Sequence, residues 1–216
     1  MSASDRRVFF FARHGETNWN AEGRWQGRAD PPLSAEGERQ AQDAVPRVAG
    51  VRAIWSSDLA RARRTAELLA PPGVNVRLDE RLGERDVGAW AGLTRAEIDV
   101  RYPGWIAAGR RPPDWEDDDA LRARCWPALR AIALLAGTGG LVVTHGGLIR
   151  AVGAALGASP WPIPNLSGVS LECREGGFAL GQRVSLLDPA EPILDAVTQP
   201  DCVGAPAPDD AWRVAR

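Results

Sequence analysis

Four short apolar runs constrain this chain more than anything else in it: residues 8–12, 51–55, 74–78 and 141–144. Each has the length of a buried strand and is too short for a core helix. Helical stretches stand between and after them. Ser34 is placed to cap a helix over 35–48, and Ser56, Ser57 and Asp58, all favoured N-cap types, precede one over 59–70. Pro71, Pro72 and Gly73 stop that second helix. Residues 120–136 are helical in pattern, with Pro127 inside predicting a kink or a break, and 146–156 follow the fourth run as another helix. Two more strand-like runs, around 169–172 and 178–187, come after Pro164, while 99–119, rich in Pro, Trp and charge, read as irregular structure or short helices. Strands alternating with helices predict an α/β fold, a mostly parallel central sheet with helices on both faces. No composition break or internal repeat divides the 216 residues, so 1–216 read as a single domain. Its core is expected at about 8–187, with 189–216 a loosely packed tail.

Composition excludes classes rather than choosing one. A net charge of -2, with 44% hydrophobic and 25% charged residues, gives no whole-chain attraction to nucleic acid or an acidic membrane. All 26 basic residues are arginine, so any anion site must be built from planar, permanently charged guanidinium groups. Cys125, Cys173 and Cys202 are odd in number and far apart. They suggest neither a disulfide framework nor a metal site and fit a reducing cytoplasm. The first apolar run is too short for a signal peptide or membrane span. The expected location is cytoplasmic; a homodimer is compatible with all of this.

The chain has only two histidines, and each follows a strand-like run. His14 lies in Arg-His-Gly-Glu-Thr (13–17) and His145 in Thr-His-Gly-Gly (144–147). Ligands of open parallel sheets bind at the carboxyl ends of strands, so both imidazoles are expected in one cleft. The neighbouring glycines let backbone approach a ligand and leave N–H groups for oxyanions.

Arg-His-Gly-Glu-Thr resembles the signature of the histidine phosphatase superfamily, in its phosphoglycerate-mutase-like branch. Four further blocks continue the resemblance in order: Asn20 with Gln26-Gly27 and Asp30-Pro-Pro-Leu-Ser; Ser56-Ser-Asp-Leu-Ala-Arg-Ala with Thr65-Ala-Glu; Leu82-Gly-Glu with Gly88-Ala-Trp-Ala-Gly-Leu-Thr; and Thr144-His-Gly-Gly-Leu-Ile-Arg. Together they span roughly 8–156 and imply a phosphoglycerate-mutase-like fold.

The resemblance implies that His14 is the nucleophile of a phosphatase, with Arg13, Arg61 and His145 forming a cationic pocket for the phosphoryl group. It implies Glu84 as the carboxyl group that protonates the leaving alcohol and then activates water. Asn20 and the Gly146 N–H are neutral donors in this scheme, and Gln26 and Gly27 line the substrate. No metal and no cofactor are required; the partner is a small phosphorylated metabolite. Glu16 is expected to be structural, and Trp19 and Trp25 to pack rather than bind. The acidic run 116–119 is expected to serve a helix start. Trp115-Glu-Asp-Asp-Asp (115–119) stands where many small phosphatases of the family show Gly-Gly-Glu-Ser, in a neighbourhood expected to cover the substrate, so the departure bears on substrate identity and not on the catalytic centre. Mutases of the family carry a longer insertion after the acid–base motif. The short stretch 94–120 therefore favours hydrolysis over a phosphoglycerate mutase, and the presence of Arg13, His14, Arg61, Glu84 and His145 together speaks against an inactive phospholigand-binding relative.

Overall fold

The computed structural model describes residues 7–136, 139–174 and 177–188, together with Ile193. A six-stranded sheet has the order β3-β2-β4-β1-β5-β6. Four of its strands run parallel: β1 (Arg7–Arg13), β2 (Ala53–Ser56), β3 (Val76–Leu78) and β4 (Gly140–Thr144). The other two, β5 (Ser167–Arg174) and β6 (Gly177–Ser185), add an antiparallel edge beside β1. The sheet is thus mostly parallel, as expected. Among the described residues no helix is long and apolar enough to cross a membrane.

β1 shows why the runs are continuous rather than alternating. Its residues Val8 to Ala12 are all buried, with Phe9 and Phe11 in one core cluster and Phe10 and Ala12 in another. Both faces of a parallel strand are covered, so neither can be polar. Each buried phenylalanine contributes about 1.5–3 kcal/mol relative to exposure. The first cluster packs under α5 (Asp118–Ala136) and α6 (Gly146–Ala155); the second lies under α2 (Ala35–Asp43) and α3 (Ala60–Leu69). A third, smaller cluster gathers Trp90, Leu93 and Ile98 with Trp25, Trp105 and Trp115 beyond the strand ends. It includes α4 (Arg95–Arg101) and the turns that follow; the short α1 (Asn18–Ala21) lies just after β1.

Two local expectations are corrected. None of Ser56, Ser57 and Asp58 caps α3: its N-cap is Leu59, without a side-chain cap bond, and the Ala60 N–H donates instead to Asp30 Oδ2 at 2.7 Å. A carboxylate thirty residues away replaces the local cap. Pro127 does not break α5, which runs unbroken for 19 residues. Pro127 faces solvent, where water can satisfy the carbonyl left free. The opposite face buries Leu121, Cys125, Leu129 and Ile132, which offsets a proline cost of about 3 kcal/mol. Ser34 does cap α2, accepting from the Gly37 N–H at 3.0 Å, but that helix ends at Asp43 and continues only as a 3-10 turn, Val45–Val48. The expected tail lies outside the described residues except for Ile193, which is buried in the second cluster.

Candidate active site

The register of two neighbouring strands places the histidines. β1 pairs with β4 so that Arg13 lies opposite Thr144, and the next residue on each strand is a histidine. The His14 N–H donates to Thr144 O at 2.9 Å, extending the ladder by one bond. The imidazole centroids are 5.2 Å apart. Both rings are buried, His14 at 3% exposure and His145 at 0%.

His14 Nδ1 lies 2.6 Å from Gly15 O. A carbonyl only accepts, so Nδ1 carries the proton and Nε2 keeps its lone pair. Burial, reinforced by the charges of Arg61 and Arg13, holds the His14 pKa well below its usual value, against the opposing pull of the Gly15 bond. His145 is lowered in the same way, first by burial and then by Arg61, His14 and Arg13. Burial and the neighbouring guanidinium groups thus both favour the neutral form of the His145 ring.

Those guanidinium groups are fixed by backbone carbonyls. Arg61 is fully buried; its Nη1 donates to Ala29 O at 2.7 Å and its Nη2 to Gly27 O at 2.9 Å. Arg13 Nη1 donates to Ile163 O at 2.7 Å. Burial pulls the Arg13 pKa down to about 10 despite the nearby Glu84, which still leaves it protonated at neutral pH. Arg61 is lowered too, chiefly by burial, against Glu84 and Asp30. Among the described residues neither Nε has a partner, and neither does either ring nitrogen of His145. Buried donors are nearly always satisfied. The unpartnered Nε–H groups of Arg13 and Arg61, with the one N–H of a neutral His145, therefore suit an oxyanion.

Glu84 stands at the start of α6. Its Oε2 accepts from the Gly147 N–H at 2.9 Å, and its Oε1 from the Leu148 and Arg85 N–H groups at 3.1 and 2.8 Å. Gly147 permits this approach, because a Cβ there would collide with Oε1. Asn20 accepts on Oδ1 from the Thr17 N–H and from Asn165 Nδ2, both at 3.2 Å. Asn165 also donates to His14 O at 3.0 Å, tying the nucleophile candidate to Asn20; Asn165 carried no signal of its own in the sequence.

Eight of the nine sequence candidates line one cavity of about 420 Å³, namely Arg13, His14, Arg61, Glu84, Asn20, Gln26, Gly27 and Gly146; the ninth, His145, lies behind it against the His14 ring. Two of them act first on neighbours. Gln26 Nε2 donates to Thr17 Oγ1 at 2.7 Å, and the Gly27 carbonyl holds Arg61. The lining also contains Arg111, Trp115 and Arg150, which sequence reasoning did not single out. Arg150 has a readable signal, one turn beyond Gly146 on α6, and Trp115 opens the 115–119 segment that departs from the family pattern; Arg111, on an irregular stretch, has none. Arg111 rests over the rings of Trp90 and Trp115, 5.5 and 5.2 Å from their centroids.

The remaining expectations meet the geometry as follows. Glu16 accepts from Ser34 Oγ at 2.9 Å and is a support of the turn. Trp19 packs over Gly92, whereas Trp25 both packs against Trp90 and lines the cavity. In the acidic run, Asp117 caps the Ala120 N–H, Asp118 pairs with Arg85, Asp119 with Arg122 and Glu116 with Arg124.

The family model of the histidine phosphatase superfamily, branch 1, matches residues 9–184. The probable phosphoglycerate mutase GpmB of Salmonella arizonae is 39% identical over 166 residues, covering 70% of this chain and 76% of that protein. Among solved structures, a mycobacterial glucosyl-3-phosphoglycerate phosphatase complexed with VO3 is 30% identical with a TM-score of 0.72, covering 84% of this chain and 99% of the other. A protein from Thermus thermophilus is 35% identical with a TM-score of 0.64, covering 82% and 99%. With a family match over most of its length and the two histidines paired at adjacent strand ends, this chain belongs to the histidine phosphatase superfamily.

Proposed function

We propose that the protein hydrolyses a small phosphomonoester through a phosphohistidine on His14. The observation that carries this is the His14 ring, its Nδ1 proton anchored on Gly15 O, lining one cavity with Arg13 and Arg61 and lying 5.2 Å from the His145 ring. His14 Nε2 attacks phosphorus in line with the ester oxygen, and the P–O bond to the leaving group breaks. The guanidinium groups hold the equatorial oxygens, and the negative charge of the bound phosphoryl group favours a proton on His145. Glu84 donates its proton to the departing alkoxide, giving a free alcohol and a carboxylate. That carboxylate then takes a proton from water as the water oxygen attacks phosphorus. The N–P bond breaks, and inorganic phosphate leaves with His14 and Glu84 restored. Proton transfer of this kind is worth about 10²–10⁴ in rate.

The second reading, phosphoryl return to substrate as in a mutase, is favoured by the name of the 39% identical relative. Hydrolysis is supported by the short stretch after the acid–base motif, which supplies only α4 and turns before α5 begins at Asp118. Cys125 and Cys173 are both free thiols, which suits the cytoplasmic location proposed for the protein.

The test follows 3-phosphoglycerate with and without its bisphosphate primer. Release of glycerate and inorganic phosphate is expected, with an acid-labile label on the protein that His14→Gln abolishes. Efficient isomerisation to 2-phosphoglycerate would establish the mutase reading, and label on another residue would remove His14 as nucleophile.

A further inference from the structure

Glu84 follows a single 3-10 turn, Glu80–Leu82, after β3, and no strand partner holds its backbone. Four consecutive carbonyls here are nevertheless all taken by side chains from elsewhere. Arg124 on α5 donates from Nη1 to Arg81 O at 2.8 Å and Gly83 O at 2.9 Å, and from Nη2 to Glu84 O at 3.0 Å. Thr144, the residue before His145, donates its hydroxyl to Leu82 O at 2.6 Å. The remaining donors of Arg124 reach Glu116, Nε to Oε1 at 2.6 Å and Nη2 to Oε2 at 2.9 Å. A guanidinium has five N–H donors, and each is used here. Glu116 Oε2 also accepts from the Asp86 N–H at 3.1 Å, so the backbone is held on both sides of Glu84.

We propose that Arg124 and Thr144 are positioning residues for proton transfer by Glu84. The proposal rests on the reading of Glu84 as the acid and base. Its physical basis is that one hydroxyl joins the Glu84 stretch to the strand end that carries His145, while one guanidinium joins it to α5. The backbone that carries Glu84 is therefore tied toward the His14–His145 pair by these two side chains, while the Gly147 and Leu148 N–H groups hold the carboxylate itself. A misplacement of about 1 Å in a reacting group is enough to cost on the order of 10²-fold in rate. Glu116, the first of the acidic run, acts here by orienting Arg124.

Single-turnover phosphorylation of the protein separates positioning from mere support. Two substrates are compared: an alkyl phosphate, whose leaving group needs a proton, and p-nitrophenyl phosphate, whose leaving group does not. Thr144→Val and Arg124→Met should slow the alkyl phosphate about ten- to hundredfold and the nitrophenyl ester much less. Thr144→Ser, which keeps the hydroxyl, should restore the rate. In a Glu84→Gln background the same substitutions should add no further loss for the alkyl phosphate. Thr144→Val carries the test alone if Arg124→Met does not fold, with its melting temperature as the check. Equal losses for the two substrates, or undiminished losses in the Glu84→Gln background, would make both residues structural supports and overturn the proposal. If Glu84→Gln itself slows both substrates equally, the reading of Glu84 fails, and the positioning role fails with it.

Discussion

The floor of the cavity and its rim are built from opposite materials. On the floor, His14, His145 and Arg61 are at most 3% exposed and are fixed by adjacent strands or backbone carbonyls. At the rim, Arg111 and Arg150 are exposed and lie next to Trp115 and Gly146, with no carboxylate against either among the described residues. Sheet ends hold atoms to fractions of an ångström, whereas loops vary and recognise. The floor is thus suited to a fixed reaction and the rim to a choice of substrate.

The comparison breaks most sharply at Gly147, where the floor is tightest. Gly147→Ala would bring a methyl group into Glu84 Oε1, so the carboxylate must leave its seat on α6. Alanine is the better helix former by up to about 1 kcal/mol, which offsets part of the lost bonds to the Gly147 and Leu148 N–H groups, so the variant should still fold. Turnover of alkyl phosphates should fall within the general-acid range of about 10²–10⁴. A variant that is both stable and fully active would show that the seat is dispensable.

The rim should answer more weakly and more selectively. Arg111→Met keeps an apolar stem over Trp90 and Trp115 but removes the charge. An exposed charge contact is worth about 0.2–1 kcal/mol, so KM should rise by up to about fivefold for a substrate with a second anionic group. The maximal rate should stay within about twofold of the unaltered protein, because no floor group moves. A large loss of maximal rate would mean that Arg111 reaches the reacting phosphoryl group and belongs to the floor.

The same division explains what was legible in the sequence. The floor could be read because strand ends are local: apolar residues through Ala12 and Thr144 announce where each strand stops, and a histidine follows close behind. The parallel core was legible for the same reason. The direction of β5 and β6 was not, since two short apolar runs have the same composition whether paired parallel or antiparallel. Glu84 sits among Asp79, Glu80, Arg81, Arg85 and Asp86, so only family resemblance distinguished it from an ordinary charged loop. Asp30 at the start of α3, and Arg124 across forty residues from the carbonyls it holds, are long-range partners that no local pattern encodes. Trp115 was legible only as part of the 115–119 departure from the family pattern, and Arg111 depends on how an irregular stretch folds back over Trp90, which nothing in its spacing indicates.

The smallest expected effect concerns stability, and it sharpens the contrast because it arises on the floor alone. Both histidines are held neutral by burial and by Arg61, so their folded pKa values lie below 6.5 while the unfolded values do not. Between the folded values and 6.5 the unfolded chain binds more protons than the folded one, so unfolding becomes easier as pH falls. Above about pH 7 both states carry neutral rings and the contribution to the pH dependence vanishes. Each histidine should therefore remove up to about 1.4 kcal/mol of stability per pH unit on descending from 6.5, before carboxylates begin to titrate. Denaturant unfolding at pH 7.5, 6.5 and 5.5 measures the slope. His145→Gln should remove about half of it and His14→Gln the rest, whereas Arg150→Met at the rim should leave it largely intact. A slope unchanged by both histidine substitutions would mean that the rings titrate normally in the folded protein, and the neutral His14 required for attack on phosphorus would lose its support.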